Sequence, residues 1–255
     1  MNREPETVYL AQVILKNPMV SLNALLVAGT DTEVGKTVVT SALLAYWQRH
    51  RPAQAPAVLK PFQSGVGDRE LYQRVFFPNT SLETITPQYF EAPLAPPLAA
   101  TLEGRTVDLP LAWRALVAST EQHPWVLVEG LGGLGSPVTY ELTVADLAAA
   151  WHLPVVLVVP VKLGAIAQAV ANVALARERG VELRGIVLNC PQPLNEEDLA
   201  RWAPADLIAN LTQIPVLGTL PFLPEPESVS ALAVAAAALN LEALFPRAVP
   251  SAAGH

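Results

Sequence analysis

Leu25 to Val39 reads LLVAGTDTEVGKTVV, and the spacing of its glycines governs how the rest of the chain is read. A short apolar run leads into a loop ending Gly35-Lys36-Thr37, and a helical pattern, KTVVTSALLAYWQRH over 36–50, begins at the lysine. Strand, glycine-bearing loop and helix in that order form the context of a phosphate-binding loop. Loop N–H groups and the positive helix end face an anion, the lysine reaches the outer phosphates, and a Ser or Thr hydroxyl ligates Mg²⁺. The common spacing Gly-x-x-x-x-Gly-Lys-[Ser/Thr] calls for a glycine at position 30. Thr30 stands there instead, and Gly29 leaves five residues between the loop's glycines. Asp31 and Glu33 lie among them. Bare negative charge beside a triphosphate is costly, so the loop calls for cationic company, either Mg²⁺ or a substrate amine.

Further strand-length apolar runs follow the first, which spans 23–29: AVLKP (57–61), WVLVEG (125–130), PVVLVVPV (154–161), LRGIVLN (183–189) and IPVLGTL (214–220). Most are continuous rather than alternating, as in strands covered on both faces. Helical patterns at 109–122, 143–152 and 165–180 stand between several of them. The expected fold class is therefore α/β: a doubly wound, mostly parallel sheet of the phosphate-loop NTPase type with helices on both faces. Ligands then belong at the carboxyl ends of the strands. The Pro-rich stretch 86–110 has no clean period and is expected to be an excursion with short helices covering the site. Ala-rich 230–244 predicts a helix. No repeat or linker divides the chain, so 1–255 is expected to form one domain, with an N-terminal extension (1–20) and a poorly ordered tail (246–255).

Composition excludes several function classes. Charged residues make up 15% and hydrophobic residues 51% of the 255, against roughly 25% charged in an average soluble domain. That suits a covered sheet or a large subunit interface. No uninterrupted apolar run reaches the ~18 residues of a membrane span, because Pro160, Lys162 and Gly164 break the longest candidate. A net charge of −7 without a basic cluster argues against nucleic acid. The single cysteine, Cys190, excludes an intrachain disulfide and suits a reducing cytoplasm. His50, His123, His152 and His255 show no metal-ligand spacing.

Two further stretches carry chemistry. In LKPFQSG (59–65), Lys60 ends the second strand, on the ligand-binding side, where a cation stabilises a developing anion. The other reading is a solvated lysine. Asp68 opens DRELYQRVF, as a helix N-cap or as a metal ligand. In WVLVEGLGGLGSP (125–137), Glu129 ends a buried strand beside Gly130, Gly132, Gly133 and Gly135. A carboxylate so placed is the layout of a second metal-binding acid in phosphate-loop enzymes; the other reading is a glycine-rich turn with a solvated glutamate.

GTDTEVGKT, KPFQSG, VEGLGG, VVPVKLGAI, VLN and LGTLPFL occur in this order over residues 23 to 227. In this the chain resembles the dethiobiotin synthetases, ATP-dependent ligases of biotin biosynthesis that act as homodimers. The resemblance implies that CO₂ adds to one amine of 7,8-diaminopelargonate (7,8-diaminononanoate), and the carbamate attacks the γ-phosphate of ATP. The second amine then closes the ureido ring of dethiobiotin. A diamine substrate accounts for carboxylates around the loop. Cobyrinic-acid-type synthases share a similar loop, but this chain has no nucleophile context around Cys190. ParA-like switch proteins carry an early loop lysine that is missing here.

The resemblance also implies roles. Lys36 and Lys60 are the expected catalytic cations, at the γ-phosphate and the carbamate respectively. Thr32 and Glu33 face the substrate amines or carbamate, and Ser64 hydrogen-bonds the carbamate. Thr37, Asp68 and Glu129 share the Mg²⁺ shell, while Glu33, Val34, Gly35, Lys36, Thr37 and Val38 wrap the phosphates. Asn189 reads the base together with the backbone of Pro221, Phe222 and Leu223; a strand-end turn role is the alternative for Asn189. Leu163, Gly164, Ala165 and Ile166 present a helix N-terminus to the substrate carboxylate across the dimer interface. The chain departs from the family form in having Ala167 where an asparagine can sit, and in a shorter segment between Ser64 and Asp68.

Overall fold

The computed structural model describes residues 22–244; the expected N-terminal extension and C-terminal tail fall outside the described residues. The strands are β1 (Ala24–Gly29), β2 (Ala57–Leu59), β3 (Phe62–Ser64), β4 (Gln88–Phe90), β5 (Val126–Gly133), β6 (Val155–Pro160), β7 (Leu183–Asn189) and β8 (Val216–Leu220). The helices are α1 (Lys36–His50), α2 (Asp68–Val75), α3 (Leu82–Ile85), α4 (Pro96–Leu102), α5 (Leu109–Gln122), α6 (Val144–Ala150), α7 (Ala165–Glu178), α8 (Glu196–Trp202), α9 (Ala205–Thr212) and α10 (Val229–Ala236).

The main sheet has the order β2-β5-β1-β6-β7-β8, and every pairing in it is parallel. This is the doubly wound architecture expected from the continuous apolar runs. Successive strand residues point to opposite faces, and here both faces are covered. Leu26, Val128, Leu157 and Ile186 pack with Leu116 of α5, Ala145 of α6 and Val173 of α7. Leu25, Val27, Leu127, Val156 and Val187 pack with Leu43 of α1 and Leu232 of α10. The six strand residues of β1 are all buried, which is why no alternation shows in its sequence.

Two expectations are corrected. The helix foreseen over 230–244 runs only over Val229–Ala236. Beyond it the chain turns back to edge strand β8, where Asn240 N–H donates to the Leu217 carbonyl at 2.7 Å. Leu239, Leu241 and Leu244 are buried there. Burial of three leucines and a pairing for an edge carbonyl outweigh alanine's helix propensity. The Pro-rich stretch holds more than short helices: β4 pairs in parallel with β3 in a separate two-stranded sheet. Arg69 lies over the Tyr89 ring at 3.5 Å and Arg105 over the Phe90 ring at 4.3 Å, holding this small sheet to its surroundings. Strands of three residues carry too little periodicity to read from sequence.

Candidate active site

The loop between β1 and α1 turns on Gly35, which caps α1 at φ 91°. A side chain there would be strained, and its Cβ would also collide with the Asn189 amide. Asn189 itself is buried at the end of β7, and its Nδ2 donates to the Val34 carbonyl at 3.0 Å. The loop is therefore braced from behind by β7. It is braced from the side by α7, where Asn172 Nδ2 donates to the Thr30 carbonyl at 3.3 Å and Oδ1 accepts from Leu134 N–H at 3.3 Å. Gly133 lets the two loops meet, because a Cβ there would lie 2.6 Å from the Thr30 carbonyl oxygen.

Lys36 opens α1 and is buried, its Nζ donating to the Asp31 carbonyl at 3.0 Å. Burial holds its pKa below the ordinary lysine value and the nearby Lys60 charge adds to this, against the opposing pull of Glu129, Asp68 and Asp31. One residue on, the Thr37 hydroxyl lies 3.0 Å from Asp68 Oδ1 and 3.1 Å from Glu129 Oε1. Lys60 follows β2 directly and bridges the same acids, 2.6 Å from Asp68 Oδ2 and 2.7 Å from Glu129 Oε1. Burial disfavours the Lys60 charge, but Glu129 and Asp68 outweigh it and hold the pKa above the ordinary value. For Asp68 burial likewise opposes the charge, and Lys60 with the Thr37 hydrogen bond outweighs it, so the carboxyl lies below its ordinary value.

Asp68 is the first residue of α2, with Gly67 at the cap position, so the N-cap reading of Asp68 does not hold. The Gly67 N–H is taken by Glu70 Oε2 at 2.9 Å, and Gln63 Oε1 accepts from Arg69 N–H at 2.9 Å. These bonds fix the start of α2 against β3 and leave the Asp68 carboxylate free to face Thr37. Glu129 lies within β5, four residues before the glycine that re-enters register with β1: Val27 pairs with Glu129 and Gly29 with Gly133. The register shifts between these two pairs.

Thr32, Glu33, Gly35, Lys36, Thr37, Val38, Lys60, Ser64, Asp68 and Glu129 line one cavity of about 690 Å³. Ser64 Oγ is buried there without a hydrogen-bond partner among the described residues. Phe62, Leu131, Pro137 and the segment Pro93–Pro96 form its apolar walls, so the Pro-rich excursion does cover the site. Val34 is buried behind the loop. Asn189, Pro221, Phe222 and Leu223 lie outside this cavity, at the adjoining ends of β7 and β8, where Asn189 pairs with Leu220. Leu163, Gly164, Ala165 and Ile166 are also outside it, at the start of α7; Leu163 is 84% exposed and Ala165 is buried. The notable residue unforeseen from sequence is Tyr72, fully buried on α2, whose hydroxyl donates to Glu129 Oε2. Its pKa is pushed well above the ordinary value by burial and by Glu129, so the hydroxyl remains a donor. Tyr72 follows Asp68 by four residues, a spacing that puts both on one helix face.

Thr37, Asp68 and Glu129 suit a hard cation. Every donor they offer is an oxygen. No group of three or more His, Cys, Asp or Glu converges among the described residues. A two-carboxylate, one-hydroxyl set leaves room for phosphate oxygens and water, as Mg²⁺ prefers.

Comparison with known proteins places the chain in a family. A protein-family profile described as an AAA domain matches residues 23–230. The ATP-dependent dethiobiotin synthetase BioD of Gloeothece citriformis (strain PCC 7424) is 53% identical, over 88% of this chain and 99% of its own. The protein of that name from Crocosphaera subtropica is 53% identical over 88% and 100%, and that from Bacillus subtilis subsp. natto 33% identical over 86% and 96%. Among solved structures, a ParA family ATPase from Chlorobium tepidum TLS aligns with a TM-score of 0.51 at 14% identity, over 88% of this chain and 96% of its own. MinD of Pyrococcus furiosus gives 0.50 at 14% identity, over 85% and 98%. These last two likenesses speak to the phosphate-loop NTPase fold alone. From its sequence relatives, matched over nearly their whole length, the chain belongs to the ATP-dependent dethiobiotin synthetase family.

Proposed function

We propose that the described residues work as one ligase unit that closes a cyclic urea, converting 7,8-diaminononanoate, CO₂ and ATP to dethiobiotin, ADP and phosphate. The observation that carries this reading is the shared cavity. A nucleotide-hydrolysing protein needs the loop with Lys36 and Thr37; here Lys60 and Ser64, whose hydroxyl has no partner among the described residues, line the same space. That second pair has no task in hydrolysis and suits a carboxylate-like carbamate.

One substrate amine attacks CO₂ and loses a proton to solvent, giving a carbamate. A carbamate oxygen attacks the γ-phosphorus as the bond to ADP breaks. The second amine attacks the carbamate carbon and loses a proton to solvent, the bond from carbon to the phosphate-bearing oxygen breaks, and phosphate leaves with that oxygen. Lys36 offsets charge at the transferring phosphoryl group and Lys60 charge on the carbamate, each already positioned in a water-poor site. Ser64 orients the carbamate, and Thr32 and Glu33 line the side where the amines enter. Mg²⁺ held by Thr37, Asp68 and Glu129 would neutralise phosphate charge.

Asn189 spends one amide N–H on the Val34 carbonyl, and its side-chain oxygen and second N–H have no partner among the described residues, next to the backbone of Pro221 to Leu223; this supports ATP as co-substrate. The outer face of α7 supports a homodimer. Ala167, Val170, Ala171 and Ala174 are exposed at helical spacing with no charge among them, next to exposed Leu163. A second copy docked there brings the residues from Leu163 to Ile166 toward its neighbour's substrate. The test of the anhydride route uses C¹⁸O₂, mixed with enzyme, diamine and Mg·ATP and quenched before oxygen exchange with water. The account expects one ¹⁸O in the released phosphate. Phosphate free of label, formed alongside dethiobiotin, contradicts transfer through the carbamate oxygen.

A further inference from the structure

Glu129 is buried to 1%, and its two oxygens have different surroundings. Oε1 receives the Lys60 ammonium at 2.7 Å and lies 3.1 Å from the Thr37 hydroxyl, on the cavity side. Oε2 receives the Tyr72 hydroxyl from the side of the helix core, where Tyr72 packs with Leu25, Leu127 and Ile85. Packing alone does not call for a hydroxyl, because phenylalanine fills nearly the same space. A buried hydroxyl is retained without cost only where it is hydrogen-bonded, and here it meets a carboxylate that faces the nucleotide loop.

We propose that Tyr72 is a positioning residue for the ligase reaction. Its hydroxyl holds Glu129 Oε2 so that Oε1 alone is presented to Thr37, Lys60 and a bound cation. The terminal torsion of a glutamate is broad and roughly two-fold, so a carboxylate with donors on one oxygen only is free to turn. Tyr72 removes that freedom. Because Asp68 lies one turn earlier on the same face of α2, a single short helix supplies one acid and aims the other. The start of that helix is in turn fixed to β3 through Gln63 and Glu70. The proposal rests on the reading of Glu129 as a metal-side carboxylate.

The test compares Tyr72→Phe with Glu129→Gln and the unaltered protein. For Tyr72→Phe the expected outcome is a half-saturating Mg²⁺ concentration raised about tenfold, the scale of losing an outer-shell partner of a metal ligand. The KM for the diamine should be unchanged. Mn²⁺ binding in the presence of ADP, read by electron paramagnetic resonance without turnover, should weaken by a similar factor. A lower melting temperature with both Mg²⁺ dependence and Mn²⁺ affinity unmoved would make the tyrosine merely structural and overturn the proposal. If Glu129→Gln keeps normal turnover and Mg²⁺ dependence, the reading of Glu129 itself falls. If Glu129→Gln is inactive while Tyr72→Phe binds Mn²⁺ normally, only the role of Tyr72 falls. A second probe does not depend on Tyr72→Phe folding: 3-fluorotyrosine placed at position 72 by codon suppression, followed by ¹⁹F resonance. Its signal should move with Mg²⁺ in the presence of ADP at the half-saturation of activity, and a signal unmoved by Mg²⁺ counts against the proposal.

Discussion

Lys60→Met removes a charge while keeping side-chain length, and the structure gives the size of the consequence. The Lys60 side chain is 5% exposed, its Glu129 partner 0% and its Asp68 partner 36%, with contacts of 2.7 and 2.6 Å. Removing one member of a buried ion pair costs about 3–5 kcal/mol, because the remaining charge stays buried without compensation. The Asp68 share is screened by solvent, so the Glu129 contact dominates and the lower end, ~3 kcal/mol, is expected. At about 2–4 °C per kcal/mol for a chain of this size, the variant should melt roughly 6–12 °C below the unaltered protein in EDTA. On the proposed metal role, Mg²⁺ with ADP brings a dication to the same carboxylates, so the gap should narrow when both are added. Thermal melts followed by circular dichroism under the two conditions measure this. Equal melting temperatures in EDTA, or a gap that Mg·ADP leaves untouched, would refute the view that Lys60 and the cation serve the same pair of acids.

Lys36→Ala should lower turnover by at least ~10²-fold, because on the proposed reaction this loop lysine acts at the γ-phosphate; a near-normal rate removes the phosphate-loop assignment. The Asp68 carboxyl sits below its ordinary value of 3.8 in the fold. Its stabilising contribution is therefore complete above that value and lost as pH falls through the lower folded-state value; Asp68→Asn should flatten this acid limb in urea titrations. Lys60 has the opposite sign. Its pKa is raised above 10.5, so its contribution is complete below that pH and fades as pH climbs through the folded-state value. Val170→Asp places a charge on the outer face of α7 and should convert the proposed dimer to monomer in sedimentation velocity, with turnover falling alongside. An unchanged sedimentation coefficient moves the interface elsewhere.

The sheet was legible because its strands are buried on both faces, which writes continuous Val and Leu into the sequence at 126–128 and 155–159. The nucleotide loop was legible because Gly35, Lys36 and Thr37 are consecutive. What stayed hidden depends on contacts between distant segments. Strands β3 and β4 exist because each has the other, and three residues apiece leave no pattern. The end of α10 is set by a carbonyl of Leu217 that only the folded sheet presents to Asn240. Tyr72 stood in plain view four residues after Asp68, yet its spacing acquires meaning only once Glu129, 57 positions away, is seen beside it. Asn172 was similarly silent, since nothing local marks it as the clamp between the Thr30 and Leu134 backbones.

The central claim is that this site couples ATP cleavage to closure of a urea ring on a diamine. Its most direct test is phosphate release from Mg·ATP and bicarbonate, with and without 7,8-diaminononanoate, with the cyclic urea quantified in the same samples. The account predicts that phosphate appears only with the diamine and in equal amount to dethiobiotin. Phosphate released at the same rate without diamine, and no urea formed, would contradict it.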